Sequence, residues 1–454
     1  MPTRLMSLYR SPAIRSAAGF AAGGIGFALG NILLARTLVP VEFGRFVLFL
    51  ALTYLGIILG PLGLETVINR HRLTAFPGLL RRALATSATM GVVVAAASVL
   101  IYKFELPLAV MLIFSVTVAS MNRIGASFMQ AQSNFRASMW LLVVHNWTLI
   151  LAVPVLMLLE QPAAIHAAAV IACGYSISGI LGWRAAWSVG DAIVRPEPGV
   201  VTREGLAVAG LNVCGEVFRQ LDRLLIPRLL SVAALGTYSL GATVAGSAFH
   251  MLQAGAGHTL TPQLRACRSK RAVLTLLRRE ASMMFGLAAL AAIGVCTLAP
   301  WFIDLVFAER YEMPRAVIYA IVLLGVVKIW HQFAAVCVTA LGTTRHLLML
   351  HLSGWIALTI SAVMAVALSR YGMASIILGI AAGWSGLAIV ATFIASQSLN
   401  AWVKSRAEAM RDDETLTLGE RLELRRQQPT LVVGEDLHEG SGRVSDRQRI
   451  PFRR

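Results

Sequence analysis

The stretch Glu204–Arg228 carries the densest chemistry in the chain. Its background is apolar, yet Glu216, Arg219, Asp222 and Arg223 fall close together within it. At about 100° per residue on a helix, Asn212, Glu216, Arg219, Asp222 and Arg223 share a sector about 120° wide. Such a face can do several things. Guanidinium groups hold phosphate or carboxylate through their planar fork. Carboxylates carry a proton or bind a cation. The charges can also pair along the helix, Glu216 with Arg219 and Arg219 with Asp222 or Arg223, and only pack two helices. Two acids and two arginines exceed what packing needs, so the stretch is expected to line a site.

Other polar residues interrupt apolar runs: Asn122 with Arg123, His145 with Asn146, His250, His258, and Lys328 with His331. Glu65 lies near the end of the second run, before Asn69 and Arg70. A lone histidine in such a run more simply bonds a neighbouring helix, whereas Arg123 and Lys328 need a partner or water. If Arg123, Arg219, Arg223 and Lys328 line one cavity with Glu216 and Asp222, its net charge is about +2, which suits an anion. The expected substrate contacts are Arg219, Arg223, Arg123, Lys328 and Asn212. The expected ion-coupling groups are Glu216, Asp222 and Glu65. The chain lacks GxSxG, Walker-type GxxxxGK[ST], HExxH and DxD-type metal motifs. No enzyme activity, cofactor or metal is therefore expected, and energy would come from an ion gradient, the membrane potential or the substrate's own gradient. The five cysteines form no CxxC and read as small apolar residues.

These residues need elements to position them. Hydrophobic residues make up 57% of the 454, and only 14% are charged, with a mean hydropathy of +0.70. Soluble domains average about 25% charged residues. Twelve apolar segments, near 15–37, 43–66, 83–102, 106–130, 138–159, 163–187, 205–228, 233–258, 281–307, 315–341, 346–369 and 372–399, are each long enough to cross about 30 Å of hydrocarbon. The sequence predicts an all-α polytopic membrane protein. The first segment lacks a cleavage site and is expected to remain as a membrane helix.

The net charge of +17 has the pattern of topology control rather than nucleic-acid binding. With the N-terminus inside, the inner loops and N-terminus hold 18 Lys and Arg against 7 outside. Both termini are expected in the cytoplasm.

A weak internal repeat accompanies the even helix count. Leu34-Ala-Arg36 with Gly44 resembles Ile226-Pro-Arg228 with Gly236 at the same spacing. Phe46 then matches Tyr238, and Gly63 matches Gly255, all at an offset of 192 residues. Two six-helix bundles of equal orientation follow, related by an axis along the membrane normal. The expected division is 1–187 for the first bundle, 188–204 for a linker, 205–399 for the second bundle, and 400–454 for a largely disordered cytoplasmic tail with a short helix near 416–428. In this alignment Gly24 and Gly30 stand opposite Glu216 and Asp222, so one half would supply room and the other charge. The glycines at 19, 23, 26 and 30, at 56 and 60, and at 379 and 383 predict close helix packing, with bending of the first helix as the alternative. The basic loop Arg265–Arg279 marks an inner face, or an amphipathic helix on anionic headgroups.

The segment Leu33-Leu-Ala-Arg36-Thr-Leu-Val-Pro-Val-Glu-Phe-Gly44 resembles the opening of Wzx-like polysaccharide and O-antigen flippases. These belong to the multidrug/oligosaccharidyl-lipid/polysaccharide exporter superfamily. Gln220-Leu-Asp-Arg-Leu-Leu-Ile-Pro-Arg228 with Leu235-Gly-Thr-Tyr238 resembles the start of that family's second half. The likeness in layout covers about residues 10–400. It implies a bacterial inner-membrane transporter with two six-helix bundles around an alternating cavity. The implied cargo is an undecaprenyl-pyrophosphate-linked oligosaccharide, moved from inner to outer leaflet for exopolysaccharide, capsule or O-antigen synthesis. Membrane lipids and polysaccharide polymerase or export proteins would be its partners. The resemblance also implies that the seventh segment borders the cavity, which puts Glu216, Arg219, Asp222 and Arg223 near substrate. Arg123 and Lys328 rest on the charge argument alone. The alternatives are an ion-coupled drug or cation exporter of the same superfamily, which calls for an acidic, aromatic-rich cavity, and a non-transporting membrane scaffold or a polysaccharide polymerase or ligase, the enzymes calling for a long outer loop.

Overall fold

The computed structural model describes residues 12–132, 134–188, 198–267, 269–307 and 310–415. The expected helix near 416–428 and most of the linker lie outside them. Among the described residues the chain is helical throughout, without strands. The helices are α1 (Pro12–Thr37), α2 (Pro40–Leu59), α3 (Leu64–His71), α4 (Pro77–Tyr102), α5 (Leu106–Ala131), α6 (Phe135–Met157), α7 (Ala164–Ser188), α8 (Pro198–Leu229), α9 (Val232–Ala266), α10 (Lys270–Phe307), α11 (Arg315–Leu341), α12 (Thr344–Leu368) and α13 (Met373–Thr415). Proline opens α2 and α4, where its missing N–H costs no hydrogen bond. The Asn134 side chain caps α6 by accepting from the Ala137 N–H at 3.1 Å. Ser231 caps α9 in the same way, accepting from Ala234 at 3.0 Å.

Among the described residues ten helices are long and apolar enough to cross a membrane; α1 and the charge-bearing α8 are not among them. Large apolar side chains cover the outside, including Leu290, Ile293 and Leu305 on α10 and Ile356 and Val363 on α12. That pattern suits a hydrocarbon solvent, not water. The protein is an all-α polytopic membrane protein.

The second apolar segment is not one helix. It breaks between α2 and α3, where Leu62 has φ 49° and Gly63 φ 76°. A Cβ on Gly63 would lie 2.1 Å from the Gly205 carbonyl oxygen, so this left-handed, closely approached position needs glycine. The first helix has no such break. Its Gly23, Gly26 and Gly30 receive Val143, Trp147 and Leu149 of α6. Gly30 is therefore filled by Leu149 and provides no room opposite Asp222, which corrects that part of the repeat argument. Gly24 keeps only the Met251 methyl at 3.5 Å.

Contacts recur between the halves. In the first, α1 packs on α6, α2 on α5 and α4 on α5; in the second, α8 packs on α12, α9 on α11 and α10 on α11. Across the halves α1 meets α9 and α2 meets α8. The meeting is reciprocal at the α1–α2 turn. A Cβ on Gly44 would lie 1.9 Å from the Val232 carbonyl oxygen, and one on Gly236 would lie 2.5 Å from that of Pro40. Both residue pairs are related by the 192-residue offset.

Backbone carbonyls at the same end bind across the halves. The Tyr102 hydroxyl donates to Leu224 O at 3.0 Å, and the Tyr311 hydroxyl donates to Ala35 O at 3.0 Å. Arg228 donates to Ile101 O at 2.8 Å, and Arg310 donates to Arg36 O. The first half thus presents a Tyr to the second, and the second presents a Tyr and two Arg to the first, so hydrogen bonds tie the halves together at this end.

Candidate charged site on α8

Helix α8 holds its charges as a ladder with one rung replaced. Glu216 accepts from Arg219 Nη2 at 2.6 Å and from Gln220 Nε2 at 2.9 Å. Gln220 Oε1 then accepts from Arg223 Nη1 at 2.9 Å. The expected pairing of Arg219 with Asp222 or Arg223 gives way to this bridge, because Gln220 stands between Glu216 and Arg223 at helical spacing. Asp222 turns instead to α9, where the Tyr238 hydroxyl donates to its Oδ2. Glu216, Gln220 and Asp222 are buried, Arg223 is half-buried, and the Arg219 side chain is 57% exposed. The anions are thus fixed inside, and the Arg219 guanidinium, paired with Glu216 through Nη2, stays open to solvent. Asn212 is half-buried on the same stripe, one turn before Glu216.

Neighbouring helices complete the surroundings. Lys328 of α11 interacts with the charges of Asp222, Arg223 and Arg219. Its Nζ lies 5.4 Å from the ring centroid of Trp384 on α13. Trp384 stacks on Phe218 with centroids 4.1 Å apart and meets the His331 ring at 5.1 Å. His250 of α9 interacts with Lys328, Arg223 and Arg219. Tyr54 of α2 interacts with Arg223 and Glu216, so the first half reaches the same place.

Arg123 belongs elsewhere. Its Nε lies 3.6 Å from Glu65 Oε1, joining α5 to α3 beside the α2–α3 break. Glu65 is 5% exposed, and burial pushes its carboxyl above the usual range while Arg123 opposes this. The set around α8 is then Arg219, Arg223 and Lys328 against Glu216 and Asp222, a net of +1 rather than +2. Arg123→Gln is expected to lower stability by roughly 3 kcal/mol, because a buried carboxylate loses its cation. Thermal unfolding in detergent checks this, and Glu65→Gln in the same chain should restore most of the loss.

His145 is buried in α6 and stacks on Tyr175 at 4.2 Å, and the Asn122 amide donates to Leu141 O at 2.9 Å. The side chain of His258 lies outside the described residues. Among the described residues no cluster of three or more His, Cys, Asp or Glu could hold a metal ion.

Sequence reasoning missed Gln220, Tyr238, Tyr54 and Trp384 as members of the site. Tyr238 had a signal: at the repeat-related position the first half has Phe46, so only the second half adds a hydroxyl there. Gln220 had one too, one turn after Glu216 and three residues before Arg223. Tyr54 and Trp384 come from distant helices and had none.

Three solved structures share the fold. An inward-facing multidrug resistance MATE family transporter of the MOP superfamily superposes with a TM-score of 0.58 at 13% identity, covering 86% of this chain and 96% of its own. An outward-facing multidrug resistance MATE family transporter of the same superfamily gives 0.56 at 12% identity, with 87% and 98% covered. The lipid II flippase MurJ in an inward closed conformation gives 0.64 at 10% identity, with 89% and 93% covered. A sequence comparison with curated proteins finds no match. The family profile described as polysaccharide biosynthesis protein matches residues 33–314. The chain belongs to the polysaccharide biosynthesis protein family, on the fold that MATE transporters and MurJ share.

Proposed function

We propose that the protein flips an undecaprenyl-pyrophosphate-linked oligosaccharide from the inner to the outer leaflet of the bacterial cytoplasmic membrane. The observation that carries this reading is the net-positive set on α8 and α11, reached from both halves and holding an exposed arginine. A pyrophosphate is a multivalent anion, and two guanidinium forks with an ammonium match it. Family membership and a fold like that of a lipid II flippase support the same substrate class.

In this reading the first and second bundles, 1–187 and 205–399, rock about the α1–α9 and α2–α8 contacts, with both termini in the cytoplasm. The end tied by Tyr102, Tyr311, Arg228 and Arg310 is then the outer one, and the described state takes substrate from inside. Incoming phosphate competes with Glu216 for Arg219 and with the Gln220 carbonyl for Arg223. Glu216 is released from Arg219 but stays bonded to Gln220, which keeps the buried carboxylate partnered. Lys328, placed by Trp384, adds charge from the opposite wall.

Asp222 is free of the ladder and is the better coupling group. Tyr238→Phe is expected to alter the pH or ion dependence of transport in the same sense as Asp222→Asn. Phe fits by shape, so the stability cost should stay at about 1–3 kcal/mol, that of one unpartnered buried acceptor. Transport measured against pH and against Na+ checks this; unchanged profiles in both variants would remove Asp222 from coupling.

The test of the function is a deletion strain lacking any paralogue. Loss of surface polysaccharide is the expected result. Normal polysaccharide with altered drug susceptibility would instead favour a small-molecule exporter, although the positive site does not suit cationic drugs.

A further inference from the structure

The geometry points to a binding site for one anionic phospholipid on the flank of the second half, in a slot between α10 and α13 floored by α11. The two halves differ here. In the first, α5 and α7, the counterparts of α11 and α13, close on each other through glycine: a Cβ on Gly125 would lie 3.2 Å from Gly182 Cα, and one on Gly179 would lie 3.4 Å from Asn122 N. In the second, a cavity of about 410 Å³ remains, with Phe285, Trp330, Phe333, Ala334, Ala395 and Leu399 among its walls.

Its chemistry fits a hydrocarbon chain. The polar side chains on the wall are already engaged. Trp330 Nε1 donates to Thr392 Oγ1 at 3.0 Å, Thr392 donates to Ala388 O at 2.8 Å, and Ser396 donates to Phe393 O at 2.7 Å. A polar ligand would find little to bind, whereas an acyl chain finds apolar surface at low cost.

The headgroup is placed by charge. From Phe285 the slot runs toward Leu277 near the start of α10, with Leu341 and Leu399 near the ends of their membrane spans alongside. Lys270 stands seven residues before Leu277 on the same helical face, and Arg278 directly follows Leu277; both cations are exposed. At 38 residues α10 is about 57 Å long against about 30 Å of hydrocarbon, so this basic start falls at headgroup depth. An anionic headgroup there is matched by two cations.

The occupant is a resident membrane lipid, not the tail of the carried molecule. Phe333 lies about 140° and Trp330 about 160° around α11 from Lys328, so the slot is on the far side of that helix from the charged site. A lipid in the slot packs against the helix that presents Lys328. This holds whether or not the proposed cargo is right.

Native mass spectrometry of the purified protein tests it, with phosphatidylglycerol and phosphatidylcholine of the same acyl chains as probes. The wild type is expected to retain one phosphatidylglycerol and to prefer it over phosphatidylcholine. Ala334→Trp and the milder Ala395→Leu fill the slot and should lose that lipid. Val363→Trp, on the lipid-facing side of α12, should keep it. Lys270→Gln with Arg278→Gln should weaken phosphatidylglycerol binding roughly 30-fold. Equal retention of both lipids, or a filled slot that still holds phosphatidylglycerol, overturns the site. Displacement of phosphatidylglycerol by undecaprenyl phosphate also overturns it and gives the slot to the carried lipid.

Discussion

Gly44→Ala is expected to reduce transport at least about tenfold while the protein still inserts, and Gly236→Ala to follow it. The added methyl on Gly44 would lie 1.9 Å from the Val232 carbonyl oxygen, and that on Gly236 2.5 Å from the carbonyl of Pro40. Both obstacles are backbone, so neither can turn aside as a side chain would. The two halves must separate at this turn, and the cross-half bonds of Tyr102, Tyr311, Arg228 and Arg310 lengthen with it. Overpacking of this kind costs about 1–3 kcal/mol or more, and here the cost falls on one conformation. A transporter that cannot shut its outer end cannot open the inner one without leaking. Gly286→Ala and Gly294→Ala are the controls: nothing lies within 4 Å of either added methyl. Alanine there should be neutral, or stabilise the helix by up to about 1 kcal/mol. Surface polysaccharide measured at matched protein abundance decides the matter. Normal export by Gly44→Ala would mean that the close contact is not part of the cycle.

Arg219→Ala and Arg223→Ala are expected to lower transport roughly 10- to 100-fold each, as for the loss of one charge-assisted hydrogen bond to substrate. Stability separates this from a packing role. Glu216 keeps its Gln220 bond and the Arg219 guanidinium is mostly in solvent, so losing this cation costs less than at the Glu65 pair, about 1 kcal/mol, and Arg219→Ala should unfold only slightly below the wild-type temperature. Arg223→Ala leaves the buried Gln220 carbonyl without its partner and should unfold earlier. Arg219→Lys keeps the charge without the fork, so it should recover part of the activity. If the ladder served only to pack helices, the order would reverse: activity would survive in Arg219→Ala and melting temperature would fall.

The helical architecture was legible because it rests on local signals. Apolar runs, prolines at helix starts and the loop arginines needed no tertiary information. The repeat was legible from Gly44 and Gly236, and its reason is now physical: each is pressed against the other half at the same turn. The break at Leu62–Gly63 was not legible, because Gly60-Pro61 sits inside a run that is apolar on both sides. The candidate site was half legible. Glu216, Arg219, Asp222 and Arg223 announced themselves by being charged in an apolar run, and Lys328 by needing a partner. Arg123 did the same, but its partner Glu65 lies 58 residues away in sequence, and no helical spacing could have joined them. Counting charges without that pairing overstated the positive charge by one.

The most direct measurement is the leaflet distribution of undecaprenyl-linked oligosaccharides in a deletion strain, with and without the gene. Accumulation in the inner leaflet, relieved by the wild type and not by Arg223→Ala, is the expected result. Absence of any lipid-linked glycan build-up would contradict flipping, and full relief by Arg223→Ala would contradict the site.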